Sequence, residues 1–257
     1  MVGRLTSKEK SKMTITIDLN ADSLGNGVDL HGVFDDFNAN FSLGSGNHGT
    51  FYDGIAPSAT YGGSQYYVED LDSSSSYTGG VLATAGSSDF AYDISTHTIT
   101  GNLDGFSFGD TLGYNSTYTA REFTDSSVDI SGLNLSDSDT NGVLVDIYTG
   151  STSTLESVLD SGVEINGSAG ADVIGGWAGD DVLTGNGGAD IFEFDSASDF
   201  GDDTVTDFTD GTDLIDLDYS EVTVSDDGAG NALITHANGT VTLTGVDYAD
   251  IDQNDFV

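Results

Sequence analysis

Apolar side chains change their spacing several times along the chain, and each change marks an element. Residues 14–19, TITIDL, place Ile15, Ile17 and Leu19 on one side, the period of two of a half-buried strand. Leu30, Val33, Phe34, Phe37 and Phe41 then recur at helical spacing, so VDLHGVFDDFNANF reads as an amphipathic helix that docks an aromatic face. A glycine-rich loop follows, SLGSGNHGT, carrying His48. From about residue 60 to 148, short runs rich in Tyr, Thr, Val and Phe alternate with Gly, Ser, Asn and Asp, a pattern of antiparallel strands and hairpins whose last strand is VLVDIY, 143–148. Leu155, Val158, Leu159 and Val163 mark a second helix, and Ser153 followed by Glu156 reads as its capping box. This part of the chain is expected to be an α+β domain spanning 13–164.

After residue 164 helix formers vanish and a repeat begins. Residues 167–192, GSAGADVIG GWAGDDVLT GNGGADIF, superpose on themselves with a period of nine. Gly170, Gly179 and Gly188 align, as do Asp172, Asp181 and Asp190, and then Ile174, Leu183 and Phe192. A glycine turn, an aspartate and a short apolar strand, repeated, predict a parallel β-roll whose turns stack on one another. Glycine backbones and one carboxylate per turn offer the all-oxygen shell that Ca²⁺ requires, so these six Gly and Asp residues are the candidate calcium ligands. The pattern resembles the RTX proteins, which leave the cell by type I secretion, with Trp177 and Asn186 standing where a second glycine is usual. That resemblance implies a β-rich C-terminal secretion segment within 165–257 and type I secretion machinery as a partner.

Composition narrows the function. The formal net charge is -39, and four of the five basic residues, Arg4, Lys8, Lys10 and Lys12, precede Met13, leaving Arg121. Residues 1–12 therefore read as a basic leader that is disordered or not native, with Met13 a possible start. So acidic a surface repels phosphate backbones and anionic lipid, which sets nucleic acid aside as a partner. No stretch of 18 apolar residues and no signal-peptide h-region is visible, so membrane insertion is not expected and export needs another signal. The 257 residues include no cysteine, so metal chemistry must rest on oxygen and imidazole.

The segment DFAYDISTHTITGNLDGFSFGD holds the second candidate site. A four-residue hairpin turn at 93–96 would make Tyr92 and His97 a facing cross-strand pair, close enough to hydrogen-bond. On spacing alone, such a pair reads first as a packed ring and a solvated imidazole. FAYDISTHTITGNLDGFSFGDTL, VDISGLNLSD and NGVLVDIYTGSTSTLESVL, however, resemble the HasA family of secreted haem-binding proteins, the hemophores, over most of 14–163. The resemblance implies a curved antiparallel sheet backed by helices, with ferric haem held between two loops. It implies Tyr92 as the phenolate ligand to the iron, His97 as the neighbour that tunes it, and His48 as a second axial ligand. Tyr148 falls where an apolar pocket residue is usual, which makes the expected haem surroundings more polar. His31, inside the first helix, is read as structural, and His236 lies in the C-terminal segment.

The reading that results is a secreted, non-enzymatic haem scavenger, taking haem free or from haemoproteins and delivering it to an outer-membrane receptor. A calcium-dependent RTX adhesion module or enzyme without haem binding is the alternative. No H-E-x-x-H motif and no nucleophile with a matched histidine supports an enzyme. No tandem array supports an adhesin.

Overall fold

The computed structural model describes residues 14–54, 56–57, 61–117 and 120–257; the basic leader and the start at Met13 lie outside the described residues. The strand Ile15–Leu19 buries Ile15, Ile17 and Leu19, as its period of two requires. It lies at the centre of a 14-stranded sheet. On one side it pairs antiparallel with Ser126–Ser131, which continues through Asn102–Gly109, Gly80–Ala85, Gln65–Glu69 and Thr50–Asp53. On the other side it pairs parallel with Val163–Asn166. The sheet is therefore mixed, and it runs without a break from the first strand into the repeat region.

Helix α1 (Leu30–Asn40) starts at Asp29, whose carboxylate accepts the Gly32 amide at 2.8 Å. Its buried residues Leu30, Phe34 and Phe37 face the sheet, and Phe34 and Phe37 meet Phe108 at ring separations of 5.2 and 5.7 Å. The aromatic face expected from the spacing thus docks on the strand Asn102–Gly109.

Helix α2 (Asp137–Tyr148) corrects the sequence reading: VLVDIY is its last part and not a strand. Val143, Val145 and Ile147 alternate like strand residues, yet the buried set is Thr140, Val143, Leu144 and Ile147, the helical stripe, while Val145 is exposed. Helix α3 (Ser153–Leu159) has Thr152 as its N-cap, one residue before the expected Ser153. Asn38 takes the Thr152 amide at 2.8 Å and donates to its hydroxyl at 2.8 Å, and the same hydroxyl meets Glu156. Tying Thr152 to α1 fixes where α3 begins. Val163 falls outside the helix and opens the strand Val163–Asn166.

Beyond it, short strands alternate between two parallel ladders. One holds Val173–Gly175, Ile191–Glu193 and Leu214–Asp216; the other continues the large sheet through Val182–Thr184, Gly201–Val205 and Gly239–Leu243. Ile174, Leu183, Phe192, Val205 and Ile215 are fully buried in this region. The segment leading into α1 stacks on the first repeat: Asp29 bridges Val173, and the Val173 amide donates to Val28 O at 2.8 Å. Gly27 is needed there, since a Cβ would lie 2.1 Å from Ala171 O. No helix among the described residues is long and apolar enough to cross a membrane.

Candidate haem-binding site

Tyr92 and His97 belong to the hairpin of Phe90–Asp93 and Thr98–Thr100. Its register places Tyr92 opposite Ile99 and Asp93 opposite Thr98, so the turn is 94–97, one residue later than expected. His97 is thus the last turn residue, in the left-handed region at φ 57°, and not a cross-strand partner. Asp93 sets this shape. Its carboxylate accepts from the Ser95 hydroxyl at 2.6 Å and the Ser95 amide at 2.7 Å, while its carbonyl accepts the His97 amide at 2.8 Å. The Ser95 hydroxyl and amide hold the Asp93 carboxyl below its usual range. Folded back by the turn, His97 Nδ1 comes to 2.7 Å from Tyr92 Oη. With a neutral phenol, the tyrosine donates and Nδ1 accepts, leaving the ring proton on Nε2.

The pair opens onto a cavity of about 680 Å³ that is also lined by His48. Phe51, Tyr66, Ile99, Leu144 and Val145 supply its apolar surface, and Tyr61 and Tyr148 add two further phenols. The structure therefore brings all three of the expected haem-site residues to one cavity, with Tyr148 at its wall. His48 arrives on a loop fastened at both ends. At its start the Ser42 amide donates to Asp70 at 2.7 Å and the Leu71 amide to Ser42 O at 3.3 Å. At its end Gly49 lies flat on Tyr66, where a Cβ would meet the phenol oxygen at 2.2 Å. Between these points Gly44 and Gly46 take positive φ.

The four phenols differ in their surroundings. Burial pushes the Tyr66 phenol well above the usual tyrosine range, so it remains a neutral wall. Tyr92 is half-buried and is the phenol with an imidazole acceptor in contact. A ferric porphyrin needs an apolar slot of several hundred Å³ and a hard anionic or imidazole donor at its face. The residues present fit that group: an apolar wall, one phenol oxygen in contact with an imidazole, and one further imidazole.

The repeat aspartates are hydrogen-bonded to backbone amides. Asp172, Asp181 and Asp190 are almost fully buried, and each takes a backbone amide from the adjacent turn. Val28 N donates to Asp172 at 2.5 Å, Val163 N to Asp181 at 2.7 Å, and Asp172 N to Asp190 at 2.9 Å. Asp203 and Asp213 extend the two series, accepting from Asp181 N and Asp190 N. Burial pushes the Asp190 carboxyl up to about 6 and the Asp203 carboxyl up to about 8. Among the described residues no three His, Asp or Glu side chains converge as a metal site. The donor set still suits a hard cation, because Gly170 and Gly188 pack so closely that a Cβ on Gly188 would lie 2.2 Å from Gly170 O and 2.8 Å from Asp190 Oδ1. A Cβ on Gly179 would likewise lie 2.2 Å from Gly162 N and 2.8 Å from Asp160 O. Backbone carbonyls would have to complete any shell around these carboxylates.

The remaining histidines are structural. His31 stacks near Trp177 at 5.1 Å and hydrogen-bonds Gly175 O at 3.1 Å, and His236 stands 3.8 Å from Glu221. The expectation that no G-x-S-x-G motif is present is wrong: GFSFG, 105–109, has the spacing of a nucleophile elbow. Ser107 lies within the strand Asn102–Gly109 and not on a strand-to-helix turn, and its hydroxyl donates to Asp129 at 2.5 Å. That geometry gives it no histidine base.

No family model matches the chain, and no curated protein matches it in sequence. Among solved structures it is similar to the apo hemophore HasA from Yersinia pestis, with 18% identity and a TM-score of 0.44 over 57% of this chain and 86% of that one. The holo hemophore HasA from the same organism gives 19% identity and a TM-score of 0.43 over 57% and 88%. The AlgE6R2 subunit of the Azotobacter vinelandii mannuronan C5-epimerase gives 24% identity and a TM-score of 0.27 over 37% and 80%.

Proposed function

We propose that this chain is an extracellular haem carrier, a hemophore, that takes ferric haem at the cavity holding Tyr92, His97 and His48. The observation that carries the reading is the 2.7 Å contact between Tyr92 Oη and His97 Nδ1 at a cavity with an apolar wall. Haem, when bound, supplies a Lewis-acidic ferric iron and a flat apolar ring. Tyr92 would offer its oxygen as the donor to the iron, and His97 Nδ1, already 2.7 Å from that oxygen, would orient it and accept its hydrogen bond. Phe51, Tyr66, Ile99 and Leu144 exclude water from the ring, and His48 offers a second imidazole from a loop with two glycines that can turn. Delivery to an outer-membrane receptor, capture from haemoproteins and export by type I secretion complete the proposal through the sequence resemblances.

Calcium belongs to the same proposal. The segment 165–257 contains no Lys or Arg of its own beside its buried carboxylates. Ca²⁺ held by Asp172, Asp181 and Asp190 with carbonyls of Gly170, Gly179 and Gly188 would supply positive charge there.

Titration of ferric haem into the full chain tests the haem assignment. The wild type is expected to develop a Soret band with tyrosinate-to-iron charge transfer, Tyr92→Ala to lose the charge-transfer band, and His48→Ala to keep it with faster haem loss. A wild type without any spectral change would remove the reading.

A further inference from the structure

The hairpin that carries Tyr92 and His97 lies in a sheet of three strands, Gly62–Gly63, Phe90–Asp93 and Thr98–Thr100, with the last of these at the edge. An edge strand leaves alternate amides without a strand partner, and buried amides without acceptors are costly. Here helix α2 takes the place of the missing strand. The Ile99 amide donates to Asn141 Oδ1 at 2.7 Å, the Gly101 amide to Asp137 Oδ1 at 3.2 Å and the Leu103 amide to Thr140 Oγ1 at 3.2 Å. The edge-strand amide of Ile99, the Gly101 amide just past that strand and the Leu103 amide of the strand Asn102–Gly109 thus end on three side chains from the first five residues of α2.

Asn141 is the member of this set nearest the site. Ile99, whose amide it holds, is buried, lines the cavity and is the register partner of Tyr92. One helical turn further along, Leu144 and Val145 form part of the cavity wall, and Tyr148 follows. The Asn141 bond therefore joins the two halves of the cavity, the hairpin that bears the donor oxygen and the helix that bears the wall. At 2.7 Å it is shorter than the other two bonds in the set.

We infer that Asn141 is a positioning residue for the haem site, holding the Tyr92–His97 hairpin at a fixed distance from the α2 wall through the Ile99 amide. The inference rests on the haem reading for its functional part, while the pin itself can be tested without haem.

The experiment uses the full chain as wild type, Asn141→Ala, Asn141→Gln and Asn141→Asp. Asp keeps an acceptor oxygen in place; Gln keeps the amide but moves it by one methylene. In the ligand-free protein, amide exchange at Ile99 and the ring resonances of His97 are followed by NMR. In the haem-loaded protein, the rate of haem transfer to excess apomyoglobin is measured. Asn141→Ala is expected to speed Ile99 exchange about tenfold, to shift the His97 resonances and to speed haem loss about tenfold, the size of one lost hydrogen bond to a buried amide. Asn141→Gln is expected to move all three in the same direction by less, so the test stands if the Ala variant does not fold. Asn141→Asp is expected to restore all three. Wild-type Ile99 exchange in Ala and Gln, or faster exchange with unchanged His97 resonances and haem loss, overturns the inference, as does failure of Asp to restore them. If the wild type takes up no haem, the haem reading falls and the positioning role with it, and the exchange data then show separately whether the pin exists.

Discussion

Tyr92 differs from Tyr61, Tyr66 and Tyr148, which share its cavity, by one contact: His97 Nδ1 at 2.7 Å. Under the proposed haem reading this imidazole is the partner that orients the Tyr92 oxygen. Replacing His97 by Ala is therefore expected to leave the fold intact and weaken haem binding by about 10–100-fold, the usual cost of removing a partner that tunes a ligand. Competition with apomyoglobin would measure it, and an unchanged affinity would mean that Tyr92 acts without an acceptor. The residue types were legible in the sequence, because a tyrosine and a histidine five positions apart around turn-forming residues invite the pairing. Their geometry was not, because the turn's position depends on the Asp93 carboxylate capping Ser95, and this moves His97 from the strand into the turn. Asn141 left no signal at all. Its role arises from the packing of a helix against a strand edge 42 residues away.

At the scale of elements, the site is made by what holds its two loops. The hairpin is held by α2, and the His48 loop by the seat of Gly49 on the Tyr66 phenol. Gly49→Ala places a Cβ 2.2 Å from the Tyr66 oxygen, an overpacking cost of about 1–3 kcal/mol that the loop would relieve by moving away. The expected result is a haem spectrum and dissociation rate close to those of His48→Ala, with the Tyr92 charge-transfer band retained. A wild-type spectrum in Gly49→Ala would show that the loop's seat does not matter. The first strand and α1 were legible from periodicity because their apolar stripes are long and face one core. VLVDIY was not: Val143, Val145 and Ile147 mimic a strand, and only tertiary burial of Leu144, together with exposure of Val145, decides for a helix. The capping position of α3 was displaced for a similar reason, since Thr152 is engaged by Asn38 from a distant helix.

At the scale of the whole molecule, one large sheet runs from the first strand into the repeats, in a chain with a formal net charge of -39. The nonapeptide repeat was legible down to its buried Ile174, Leu183 and Phe192, but not the docking of residues 25–29 on its first turn, which no local pattern announces. Its buried aspartates link stability to pH. Burial raises the folded-state value of Asp203 to about 8, above the ordinary carboxylate value of 3.8. Protonation therefore favours the fold: the contribution is complete below about pH 4 and is lost as pH rises through about 8. In calcium-free buffer the melting temperature of the full chain is expected to fall between pH 5 and pH 9, and less steeply in Asp203→Asn. Millimolar calcium is expected to raise it at pH 8, since a ligand bound only by the folded state stabilises that state. Circular dichroism melts with and without calcium check both statements, and identical melts in the two conditions would count against calcium in the repeats.

The central claim is that Tyr92 gives its phenolate oxygen to a ferric iron. Resonance Raman of the ferric-haem complex of the full chain, excited in the charge-transfer band, addresses it most directly. The account predicts tyrosinate ring modes in the wild type, their disappearance in Tyr92→Phe and their weakening in His97→Ala. A wild-type complex without tyrosinate modes, or with modes that survive in Tyr92→Phe, would contradict it.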